Sequence, residues 1–160
     1  MKEKVLEQDT TYQEYKLARD SMQLLNARVI RCNAERGTTG KISASDIGVE
    51  LRFENKHKWN DDTTAEGYLL ADIIFGSRVN KNAFILKARL EIQGVFKMKE
   101  AMGNKEEMNK RLTLQIVPQL LPYARGAAMT IAALMGVAVP YELIPTMDIL
   151  KSIRENRNHD

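Results

Sequence analysis

From Leu112 to Tyr141 the only formally charged side chain is Arg125. So uniformly apolar a stretch either spans a bilayer or is covered by protein on nearly all sides. Spanning requires about 20 mostly apolar residues, and the length is nearly met. An arginine at mid-depth costs about 2.5–3.5 kcal/mol even on a lenient insertion scale, and Pro118, Pro122, Gln115 and Gln119 add to that cost. Enclosure by protein is therefore expected, in the chain's own core or in a subunit interface, with no membrane insertion.

The rest of the composition suits that expectation. With 160 residues, 44% hydrophobic and 28% charged, the chain reads as one domain over 1–160, large enough to bury about 70% of the surface of its unfolded form. Residues 1–23 read as an N-terminal helical extension and 156–160 as a polar tail. The net charge of +3 arises from 24 basic and 21 acidic side chains mixed along the chain, which makes no dense basic stripe and does not point to nucleic acid. The single cysteine, Cys32, has no partner for an internal disulfide or a metal cage, consistent with a reducing, cytoplasmic setting. On a strand it is expected to be a small buried hydrophobe. The first residues lack the apolar core of a secretory signal, so the chain is expected to start near Met1.

Local patterning predicts a helix over Thr11–Leu25, opened by the capping box T-Y-Q-E, with Tyr12, Tyr15, Ala18 and Met22 on one face. Leu24–Ala34 reads as a first strand and Arg36–Ser45 as a loop. In GVELRFE, Val49, Leu51 and Phe53 alternate with charged residues, as in a strand. Asn55–Gly67 is polar, holds the only tryptophan, Trp59, and reads as a loop. GYLLADIIFG follows, apolar on both faces as a central strand would be, then a turn at Ser77–Lys81. The clearest strand places Phe84, Leu86, Ala88, Leu90, Ile92 and Phe96 on one face and Lys87, Arg89, Glu91, Gln93 and Lys97 on the other. Gly94 within it marks a bulge or a close approach by a neighbouring chain.

Helical spacing runs from Lys105 to Leu134, with Ile116, Leu120, Tyr123, Ala127, Ile131 and Leu134 on one side. Pro118 and Pro122 predict a kink or a new helix there, and Gly136 suits the C-terminal cap. A connector stiffened by Pro140 and Pro145 leads to a short last helix, MDILKSIREN. The fold class is α+β: a four-stranded antiparallel sheet with helices on one side, one long and one short at the C-terminus, plus a short N-terminal helix.

The residues supply no catalytic constellation. His57 and His159 lie in polar segments, and no zinc-protease, phosphate-loop or nucleophile-elbow motif occurs. Asp61 and Asp62, beside Asn60 and two threonines, read as a solvated loop. No metal ligand set, cofactor site or enzyme activity is expected. Eight methionines are many for this length; Met129 and Met135 suit gap-filling in the core, whereas Met147, after the proline-bounded connector, suits the edge of a groove.

The stretch P-Q-L-L-P-Y-A-R, Pro118 to Arg125, followed by an apolar helix, a glycine, a proline-bounded connector and a short helix, resembles the SecB family of protein-export chaperones. E-I-Q-G-V-F, Glu91 to Phe96, is similar to that family's strand ending. The resemblance covers about Leu69 to Leu150. It implies a dimer of dimers, with the long helix packed between sheets and Tyr123, Arg125, Ala128 and Ala132 at the oligomer interface. It also implies ATP-independent holding of unfolded polypeptide in apolar grooves, here Trp59, Leu143, Ile144, Met147 and Leu150. Family members that dock on the SecA motor present carboxylates on the exposed sheet face. The corresponding face here carries Lys87, Arg89 and Glu91, and Gly126 follows Arg125 in place of an acidic residue, which predicts weak or absent SecA binding. A dedicated chaperone of a toxin–antitoxin system's antitoxin is the alternative, and a small oligomeric scaffold a second one.

Overall fold

Alternation at every second residue becomes four long strands. The computed structural model describes residues 2–37, 42–101 and 103–138. In chain order these form α1 (Lys2–Ser21), β1 (Met22–Arg36), a 3₁₀ turn (Ala44–Asp46), β2 (Ile47–Trp59), β3 (Thr64–Ser77), β4 (Phe84–Met98) and α2 (Lys105–Leu134). The strands make one antiparallel sheet in the order β1-β4-β3-β2, with the helices on one face. The connector and the predicted last helix lie outside the described residues.

The core is the layer between that face and α2. From β3 and β4 it takes Leu69, Ile73, Phe75, Leu86, Leu90, Ile92 and Phe96; from α2 it takes Leu112, Ile116, Leu120, Ala124, Ala128 and Ala132. The helical set steps by four residues, one continuous ridge. It departs from the predicted line after Leu120: Tyr123 is 45% exposed and Leu134 82%. The far half of the helix buries alanines instead, which bring its backbone close to the sheet.

Where Ile116 and Leu120 meet the sheet, two strand positions carry no side chain. Gly67 and Gly94 face each other across β3 and β4. A Cβ on Gly94 would stand 2.7 Å from Leu120 Cδ2, and one on Gly67 2.8 Å from Ile116 Cγ1. The expected close approach at Gly94 is thus made by the chain's own helix.

Four expectations change. The helix α1 runs from Lys2 to Ser21, as the reading of 1–23 as a helical extension expects, but past the supposed cap at Thr11 and short of Leu25; the good helix formers in KEKVLEQ carry it through that cap. The predicted loop from Asn55 to Gly67 shrinks to a hairpin turn at residues 60–63, its flanks being the end of β2 and the start of β3, since an edge strand keeps a polar outer face without ceasing to pair. Neither proline starts a new helix: α2 is a single element with Pro118 and Pro122 inside. Pro118 leaves the carbonyl of Leu114 without its usual amide, and the fully buried Gln115 turns its Nε2 onto that oxygen at 3.4 Å while its Oε1 accepts from Gln119 Nε2 at 2.9 Å. Finally, Cys32 is exposed, because β1 is an edge strand that α2 covers only in part. The predicted cap at Gly136 is present, with φ +65°.

Candidate functional site

The helix side of β2 is only half-covered. Val49, Leu51 and Phe53 sit at the margin of the core, packed against it but not enclosed. Among the described strands β2 has a neighbour on one side only, and its register with β3 is unbroken from Ile47↔Ser77 to Trp59↔Ala65. The result is a straight edge of backbone donors and acceptors beside a half-buried apolar strip.

Trp59 closes that strip at its far end. Its indole N–H donates to Asn109 Oδ1 on α2 at 2.7 Å, and His57 Nε2 lies 3.1 Å from the same oxygen. Beyond it, the hairpin turn is built on Asp61, whose Oδ1 accepts from the backbone N–H groups of Thr63 and Thr64, both at 2.7 Å. Those bonds, that from Thr63 foremost, hold the Asp61 carboxyl below its ordinary range. Between the turn and the start of α2 lies a notch of about 560 Å³, lined by Trp59, Asp62, Lys105, Met108 and Asn109 among others. Its apolar lining is Trp59, Met108 and Ala101, set among polar side chains, so it offers an apolar side chain an aromatic contact at a polar rim. Met108 and Asn109 were not legible as site residues; a contact across fifty positions has no local signal.

The other predicted site residues fall in three places. Leu143, Ile144, Met147 and Leu150 lie outside the described residues. Tyr123 is on the open side of α2 and Arg125 is partly buried, whereas Ala128 and Ala132 are buried within the chain's own core, so they do not form a surface open to a partner. Lys87 and Arg89 are exposed on the sheet face opposite α2, as expected, with Glu91 largely covered beside them.

That face is a network of ion pairs. Arg89 holds Asp72 through two bonds, Nε–Oδ1 at 2.7 Å and Nη2–Oδ2 at 2.8 Å, and these keep the Asp72 carboxyl below its ordinary range. Lys56 Nζ and Arg31 Nε lie 3.4 and 3.9 Å from Glu91. The hydroxyl of Tyr68 donates to Glu66, which raises the phenol's pKa and lowers that of the carboxyl.

Among the described residues no group of His, Cys, Asp and Glu side chains could hold a metal ion, and no helix is long and apolar enough to cross a membrane. No family model and no curated protein matches the sequence. A solved structure does match the fold: the Mycobacterium tuberculosis SecB-like chaperone Rv1957, in complex with a ChAD peptide from the Rv1956 HigA1 antitoxin. The likeness has a TM-score of 0.62 at 15% sequence identity, and it covers 80% of this chain and 93% of that one. The four-stranded antiparallel sheet with a long helix laid across one face is therefore a SecB-like fold.

Proposed function

We propose that this chain is a chaperone that holds nonnative polypeptide along the helix side of β2, with Trp59 and Met108 seating an apolar side chain of the client. The observation that carries the reading is a half-buried apolar strip beside a regular strand edge that no other described strand pairs. Backbone bonds to an edge bind without regard to sequence, and pockets for alternate side chains add a preference for apolar residues. Each client side chain fully desolvated there adds about 1.5–3 kcal/mol, so a few suffice and no nucleotide is needed to drive capture. Leu143, Ile144, Met147 and Leu150, outside the described residues, remain client contacts in this reading on the sequence resemblance alone.

An antitoxin is the favoured client class, because the fold neighbour was solved with an antitoxin peptide. Service to the export motor is disfavoured by Lys87 and Arg89, which would repel a partner suited to carboxylates. Assembly into a dimer or a dimer of dimers belongs to the same proposal. The exposed side chains of Leu25, Ile30, Tyr123 and Leu134 supply apolar surface that a partner copy would cover. Light scattering at micromolar concentration checks this, and a monomeric mass would remove it.

The test of holding is the variant Trp59→Ala. It is expected to lose suppression of client aggregation while its melting temperature falls only slightly, and Trp59→Phe is expected to retain most activity. If Trp59→Ala holds clients as well as the parent chain, the notch is not the site.

A further inference from the structure

The face of the sheet turned away from α2 is divided in charge, and the division follows the strands. Register places Arg28, Arg31, Asn33 and Glu35 of β1 on this face, beside Gln93, Glu91, Arg89 and Lys87 of β4. With Lys97, the β1–β4 half carries five cations against two carboxylates, Glu35 and Glu91. The β2–β3 half carries three cations, Arg52, Lys56 and Lys58, against the four carboxylates of Glu50, Glu54, Glu66 and Asp72. A hollow of about 490 Å³ crosses the boundary, with Arg31 and Arg89 on its basic side and Tyr68 and Leu70 in its lining.

We propose that the basic half of this face docks an acidic polypeptide segment, which seats one apolar side chain on Tyr68 and Leu70. Excess like charge on one half of a sheet is relieved by an anionic partner and steers its approach. A polypeptide fits better than a nucleic acid. Glu91 stands in the middle of the surface with Arg31 and Lys56 near it, and Asp72 occupies the guanidinium of Arg89; a continuous phosphate backbone would run over both carboxylates. An extended peptide turns alternate side chains to one side, about 7 Å apart, and so can place carboxylates near Arg28, Arg31 and Lys87 while keeping them off Glu91. This surface lies on the opposite side of the sheet from the client strip and does not depend on it.

The test uses the full chain and a fluorescein-labelled peptide of glutamate and serine with one central phenylalanine, followed by fluorescence anisotropy. Binding is expected to weaken with salt, to fall about tenfold in the double variant Arg31→Gln/Lys87→Gln, and to stay within about twofold in Lys58→Gln on the other half. Replacing the peptide's phenylalanine by serine should weaken it again. No binding, equal loss in the Lys58 variant, or a single-stranded RNA binding as tightly as the peptide would each overturn the assignment. The double variant should still suppress client aggregation, so that a failure of this surface is told apart from a failure of the chaperone reading.

Discussion

The same strands present two faces that are held together in different ways. On β3, Leu69, Ala71, Ile73 and Phe75 point to α2 and are fully buried or nearly so, while Tyr68, Leu70, Asp72 and Ile74 point the other way and stay partly open. The first set is stabilised by burial and close packing, whereas on the second side the polar members are held by contacts that water screens, Asp72 by Arg89 and Tyr68 by Glu66. Substitutions on the two faces should therefore differ in cost by several fold, even at adjacent positions.

The largest effect is expected at Leu120, which is fully buried against Gly94. Leu120→Ala should lower the unfolding free energy by about 2–5 kcal/mol, read by urea denaturation. A loss under about 1 kcal/mol would mean that the helix is not seated on the sheet as described. Next is Gly94→Ala. Its new methyl would lie 2.7 Å from Leu120 Cδ2 and 2.9 Å from Phe96 Cε2, an overpacking worth about 1–3 kcal/mol. Because the shortest contact is with the end of the Leu120 side chain, the cost should fall in the double variant Gly94→Ala/Leu120→Ala, and simple additivity would rule out that contact as its source.

Gln115→Ala is expected to cost about 1–3 kcal/mol, since it strips the Leu114 carbonyl beside Pro118 and leaves Gln119 without its acceptor. Adding Pro118→Ala should recover part of the loss by restoring an amide to that carbonyl. The smallest effect belongs to the open face: Asp72→Asn should cost about 0.2–1 kcal/mol, because its partner Arg89 is largely exposed. Its sign with pH is definite. The Asp72 carboxyl titrates below its ordinary 3.8 in the folded chain, so the pair stabilises above that range and its contribution disappears as acid carries the pH down through it. Parent and Asp72→Asn melting curves should therefore converge in acid; a constant gap would show that the pair is not what separates them.

Much of this was readable from residues alone. The strand Phe84–Met98, with its buried and exposed sides, follows from strict alternation, and the burial of one face of α2 follows from its apolar residues, although Tyr123 and Leu134 stay exposed. The P-Q-L-L-P-Y-A-R stretch and the strand ending E-I-Q-G-V-F pointed to the SecB-like fold that the solved neighbour bears out. Trp59 reads from the sequence as part of a loop but ends β2, since polar residues on an edge strand look locally like a turn. The alanines at 128 and 132 were assigned to an interface because smallness shows that something comes close, not what it is.

What the sequence by itself determined is periodicity: which residues can share a face, and that the long helix must be covered. Its charge pattern also settled which side of β4 meets water. Only the tertiary structure decided that the cover comes first from the chain's own sheet, and that Gly67 and Gly94 are the seat on which Ile116 and Leu120 rest. It alone brought Asn109 to the indole of Trp59 and gathered five cations from β1 and β4 on one half-face. Periodicity is carried by neighbours along the chain, whereas these arrangements depend on strand order and on where the helix crosses, which no short stretch of residues encodes.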